Sequence, residues 1–291
     1  MVIQPYYWEI GDRTNALAGA TVGTGSNAPT ATNSMLIASA SKLVFGAFVV
    51  QLHGGNLTAD DIAALNMTAG YTNLAYTSCL RLLRTSQDAE TVHQCFTSSN
   101  GAGNNNDFDA SAVNKFFYNG AQFQWLADND LNLGADNNAT LHDAVAAQLG
   151  GFNFSYDSPQ LAAGVQTTAQ DYGFFLREIL GNQLLIHDLL GTHAVCTNPL
   201  TCSTALSTPI PTSESWHYSL GHWVEDDPVT GDGTFSSPGA KGFYPWIDAS
   251  KTYYGILARE ISPLTTTDSV AVDSVYCGRT IRKAWMTGVA Q

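Results

Sequence analysis

The chain has 291 residues, enough for one large domain or two intimate ones. Its net charge of −13, from 12 basic and 25 acidic residues, leaves no basic patch to neutralise phosphates. Nucleic acid and anionic membrane surfaces are therefore disfavoured as partners, and neither is expected. Charged residues make up 13% of the chain, about half the usual share, so loops are built from Asn, Thr, Ser and Gly. That composition points to a secreted or periplasmic protein whose leader has been removed, since "MVIQPYYWEIGD" has neither a basic start nor an apolar stretch. No apolar run reaches the length of a membrane span.

In chain order, "YYWEIGD" and "ALAGATVG" read as two short strands around the turn "DRTN". The Gly-rich "GATVGTGS" lacks the strand–turn–helix setting of a phosphate loop and reads as a turn. Helical signals dominate from Ser39 to about Asn182. Lys42 to Leu52 is an apolar helix stopped by Gly54 and Gly55. Thr58 with Asp61 forms a capping box, and Thr85 with Asp88, Thr140 with Asp143 and Thr168 with Asp171 mark further helix starts. Asp109 is expected to cap a helix running through "ASAVNKFFYNGAQFQWLA". After about Thr204, "SWHYSLGHWVE", "AKGFYPWID" and "TYYGILARE" read as a three-stranded antiparallel meander, and "SVYCGRTIRKAWMTG" as a last helix. The simplest packing joins the N-terminal strands to the meander. The expected domains are therefore a sheet domain of residues 1–38 and 204–291 and a mainly helical domain of residues 39–203, with the site in the cleft between them.

Five cysteines show no metal-ligand spacing. Cys196 and Cys202 flank a Pro-containing turn that suits a small disulfide loop, and Cys79 and Cys95 suit a second. Cys277 is then left over, and the odd count leaves the pairing open. Asp226, Asp227 and Asp232 read as a solvated acidic turn, not a metal site.

The chemistry concentrates at "IASASK". A serine is a weak nucleophile that needs a base, and a lysine three residues on shares its helix face. Burial of Lys42 among Ile37, Val44 and Phe45 would favour its neutral form. A serine at a helix start also finds backbone N–H groups for a developing oxyanion. Ser41, adjacent to Lys42, cannot share its face. Further segments follow in order: "FFYNGAQFQWLA", "QLAAGVQTTAQDYGFFLREIL", "YSLGHWV" and "FSSPGAKGFYPWID".

With "LIASASK" at their head, these segments resemble the serine β-lactamase and penicillin-binding-protein superfamily. Within it they resemble the class C β-lactamase-like and family VIII esterase branch, over most of Leu17 to Trp285. The resemblance implies an α+β chain of β-lactamase/DD-peptidase-like fold, an antiparallel sheet flanked by helices plus a helical lobe. It implies Ser39 as nucleophile, Lys42 as base and Tyr118 as a proton carrier. The backbone N–H groups of Ser39 and Ala240, beside Gly239, would form the oxyanion hole. Two positions depart from the pattern. Gly120 stands where an asparagine is usual, leaving Asn119 or Gln122 to replace its hydrogen bonds. Ser237 stands where a Lys or His usually binds a substrate carboxylate. Lys241 is expected at the surface, and His222 is either a cleft residue or a packed strand histidine. The expectation is a serine hydrolase of neutral carboxylic esters, with no cofactor and a small-molecule substrate. An amidase or peptidase acting on short oligoamides is the near rival, and a binding or sensor domain without turnover is the alternative from another class.

Overall fold

The computed structural model describes residues 3–25, 28–75, 79, 90–261 and 269–291. An eight-stranded antiparallel sheet forms its backbone, made of β1 Tyr6–Asp12, β2 Ala16–Val22, β3 Val195–Cys196, β4 His217–Ser219, β5 His222–Glu225, β6 Thr234–Ser236, β7 Tyr244–Ile247 and β8 Tyr253–Ala258. Across the sheet the order is β2-β1-β8-β7-β6-β5-β4-β3, so the N-terminal hairpin pairs with the last strand, as the packing argument required. The aromatic-rich region is not three strands. "SWHYSLGHWVE" folds as a hairpin, because Leu220 and Gly221 both take positive φ, 42° and 90°, and reverse the chain within it. Thr234–Ser236 adds a further strand.

Among the described residues, eight α-helices accompany the sheet: α1 Ser41–Leu52, α2 Ala59–Leu65, α3 Val92–Thr97, α4 Ala121–Asn129, α5 Asn138–Ala146, α6 Ala169–Leu180, α7 Ile186–Leu189 and α8 Ser269–Thr287. Local capping chemistry sets several starts. The Thr58–Asp61 box opens α2, and the Thr168 hydroxyl accepts from Asp171 N–H to open α6. At α5 the cap is Asn137, with Thr140 as its reciprocal partner three residues on, so the helix starts earlier than expected. The Thr85–Asp88 start lies outside the described residues. Asp109 caps only a short 3₁₀ turn, Ala110–Ala112. Asn114 then takes a left-handed φ of 61°, and Phe116–Phe117 pairs in parallel with Ala205–Ser207. Burying Phe116 in that pairing displaces the helix to Ala121.

Helix α1 is buried along nearly its whole length and sits directly on the β4–β5 turn. A Cβ at Gly46 would collide with the Leu220 carbonyl oxygen, and one at Gly221 would press on the Lys42 carbonyl. Gly46→Ala therefore lowers thermal stability, although alanine is normally the better helix former; overpacking of this kind costs about 1–3 kcal/mol. A melting temperature equal to or above wild type would contradict this contact.

On the opposite sheet face, α8 is held by ion pairs centred on the buried Glu225. Arg279 binds Glu225 and Glu214, each at 2.9 Å. Arg282 binds Asp232 at 2.8 Å and Glu225 at 3.1 Å. Asp232, half-exposed, also anchors the helix, whereas Asp227 is buried and accepts from the Ser215, Val229 and Thr230 backbone, so it is not a solvated charge. Disulfides join Cys79 to Cys95 and Cys196 to Cys202, while Cys277 is unpaired. Among the described residues, no helix is long and apolar enough to cross a membrane.

Candidate active site

Ser39 sits in a 3₁₀ turn, Ala38–Ala40, that runs straight into α1. The residue before it, buried Ala38, is left-handed with a φ of 46°. Such a conformation costs a non-glycine residue about 1–3 kcal/mol and persists only where surrounding packing enforces it. Lys42, one turn on, is 4% exposed. Its Nζ lies 2.9 Å from Ser39 Oγ and 3.0 Å from the Ala162 carbonyl oxygen. No carboxylate faces the amine among its recorded partners, so burial alone acts, and it pulls the lysine down to about 7. Near neutral pH a substantial share of the amine is therefore neutral, and a neutral amine is able to accept a proton.

The Tyr118 ring lies under Lys42, with Nζ 4.7 Å from its centroid. Trp223 stacks on Tyr118 at 5.3 Å and Tyr218 meets it edge-on at 5.8 Å. This aromatic packing fixes the ring plane and turns its electron-rich face toward the amine.

Ser39 and Tyr118 open into a cleft of about 50 Å³, walled by Ile210, Trp223, Pro238, Ala240 and the first turns of α8 at Ala271, Val272 and Val275. Its described lining carries no charged side chain. Among the described residues, the N–H groups of Ser39 and Ala240 have no hydrogen-bond acceptor. The strand parity explains which residues reach the cleft. Trp223, Ser236 and Trp246 are register partners on the face that meets α8, where the Arg282 guanidinium lies over Trp246.

Of the other sequence candidates, His222, Asn119 and Gln122 are engaged away from Ser39, while Ser237 and Gly239 pack against its segment. His222 points to the opposite face, fully buried; its Nε2 accepts from Gly191 N–H, and burial pushes it down to about 3, so it stays neutral. Asn119 accepts from the Leu74 and Ala121 N–H groups. Gln122 accepts from Ala69 N–H and donates to the Phe117 carbonyl. Ser237 donates to the Ser39 carbonyl at 3.0 Å, tying the Gly239 segment to the serine. Gly239 packs so closely that a Cβ would collide with the Ile37 carbonyl oxygen. Lys241 is not at the surface: its side chain is 8% exposed and pairs with Glu260 at 2.8 Å. Position 120 faces Ala162, with 3.0 Å between an ideal Cβ there and the Ala162 methyl. The Ala162 carbonyl has no counterpart in the sequence motifs, because a backbone acceptor carries no residue-type signal.

No family model and no curated protein matches the sequence. Solved structures do match in fold. A β-lactamase from Mycobacterium bovis shares 16% identity at a TM-score of 0.57, covering 94% of each chain. A D-stereospecific amidohydrolase from Streptomyces shares 13% at a TM-score of 0.60, again over 94% of each. Simvastatin synthase from Aspergillus terreus shares 13% at 0.58, over 93% of this chain and 91% of the other. The chain has the β-lactamase-like fold, an α+β architecture with a large antiparallel sheet.

Proposed function

We propose that the protein is a serine hydrolase that forms an acyl-enzyme on Ser39. The observation that carries this is the buried Lys42 amine, 2.9 Å from Ser39 Oγ and held near 7 by desolvation. Ser39 Oγ attacks the substrate carbonyl while its proton passes to Lys42. The resulting ammonium is stabilised by the Tyr118 ring face and the Ala162 carbonyl. The tetrahedral oxyanion is received by the free N–H groups of Ser39 and Ala240. Collapse expels the leaving group, which takes the proton from the Lys42 ammonium. Water then attacks the acyl carbon, gives its proton to Lys42, which returns one to Ser39 as the acid is released.

Neutral carboxylic esters are the proposed substrates. The cleft lining is uncharged, and Lys241, the cation of the Gly239 segment, is committed to Glu260. Among the described lining residues, none offers a cation to a substrate carboxylate. The amidohydrolase among the structural neighbours supports parallel assays on short neutral amides.

The test is covalent. A fluorophosphonate probe should add one equivalent of mass to the wild-type chain on the Ser39 peptide and none to Ser39→Ala. p-Nitrophenyl acetate should give a burst of p-nitrophenol. Neither labelling nor turnover at mildly alkaline pH would instead favour a binding domain that keeps the fold.

A further inference from the structure

The two proposed oxyanion donors come from segments far apart in sequence, the turn at Ser39 and the loop at Ala240. Catalysis requires both N–H groups to sit about 2.7–3.1 Å from one oxygen. Something must fix the two segments relative to each other.

One carboxylate spans both. Glu260 Oε1 accepts from Lys241 Nζ at 2.8 Å, and Lys241 follows Ala240 directly. Glu260 Oε2 accepts from Leu36 N–H at 3.1 Å, in the short strand leading into the serine turn. The Lys241 carbonyl also accepts from Ile261 N–H at 3.0 Å, so the residue after Glu260 grips the same loop. Resting on the acyl-enzyme proposal for Ser39, we propose that the Glu260–Lys241 pair is a positioning brace that sets the spacing of the oxyanion hole. Glu260 touches no reacting atom; it acts through the backbone on either side of it. The pair is more than a surface contact, because Lys241 is 8% exposed and Glu260 29%. An ion pair partly withdrawn from water is less screened than an exposed one. The Ser237 hydroxyl on the Ser39 carbonyl and the close approach of Gly239 to Ile37 are two further ties between the same segments, which lets the brace tune spacing without carrying the fold.

The experiment uses the full chain with p-nitrophenyl acetate and a boronic acid as transition-state analogue. A displacement of catalytic groups by about 1 Å costs on the order of 100-fold, so Glu260→Gln and Lys241→Met should each lower kcat by about 10- to 100-fold. KM should stay within about twofold, because ground-state binding is untouched. The boronic acid should bind more weakly in proportion to the loss in kcat. Lys241→Arg, which keeps the ion pair, should restore kcat to within about threefold of wild type. The pH midpoint should not move, since Lys42 is untouched. If both variants keep wild-type kcat and boronic acid affinity while only the melting temperature falls, the pair is merely structural and the brace is overturned. If the wild-type chain is not labelled by the fluorophosphonate, the hydrolase proposal fails, and the brace with it.

Discussion

Ser39→Ala should lower kcat/KM for p-nitrophenyl acetate by at least about 10⁴-fold, because removing a nucleophile removes the covalent route altogether. Residual turnover would come from the N–H groups at Ser39 and Ala240, which survive the substitution. The fold should be indifferent to the change, since the recorded side-chain partner of Ser39 is the Lys42 amine. Ser41→Ala gives the opposite pattern. The Ser41 hydroxyl is fully buried and accepts from Val165 N–H at 3.1 Å. Its loss leaves a buried donor unpaired, at about 1–3 kcal/mol of stability, while labelling of Ser39 persists. Steady-state kinetics and thermal melts on the two variants separate the serines. Equal activity in Ser39→Ala and wild type would remove Ser39 from the chemistry.

Lys42→Met should lower kcat by about 10³-fold or more and yet stabilise the protein at neutral and acid pH. The sign follows from burial. The native amine titrates at about 7 against 10.5 for an ordinary lysine. Below about 7 both native and unfolded chains carry the proton, and the native chain bears the full cost of a buried charge. Between about 7 and 10.5 the unfolded chain binds more protons than the native one, so wild-type stability rises with pH there. Above 10.5 the cost is gone. A shift of this size is worth roughly 3–6 kcal/mol at most, less about 1 kcal/mol for each hydrogen bond lost with the amine. The melting-temperature gap between Lys42→Met and wild type should therefore be widest near pH 6 and shrink towards pH 10. Wild-type kcat should rise as pH passes through about 7, as Lys42 loses its proton and becomes a base. A gap that does not change with pH, or a rate flat from pH 5 to 9, would show that this amine does not titrate near 7.

Several elements of the site are legible in the linear chain because their physics is local. Ser39 and Lys42 are three residues apart, and that spacing alone brings amine to hydroxyl once the turn winds into α1. The capping pairs Thr58–Asp61 and Thr168–Asp171 are read the same way, whereas the odd cysteine count leaves the pairing for the fold to settle. Asp109 misled because the capping residue is genuine but the helix it opens is one turn long. Phe116 gains more from burial beside Ala205 than from continuing a helix. Lys241 misled because a lysine is normally solvated, and only the fold brings Glu260 to it.

By itself, then, the sequence determined the serine–lysine pair, the order of the segments around it and the α+β class, all set by near neighbours or by apolar pattern. Only the tertiary structure decided that Tyr118 meets Lys42 with its ring face. Only it turned Trp223 to the cleft and His222 away, set the Ala162 carbonyl on Lys42, joined Glu260 to Leu36 and Lys241, and placed the wall of α8 beside Ser39. Backbone acceptors look alike in every residue, strand parity depends on where a hairpin turns, and ion pairs between distant segments exist only after the chain has closed upon itself.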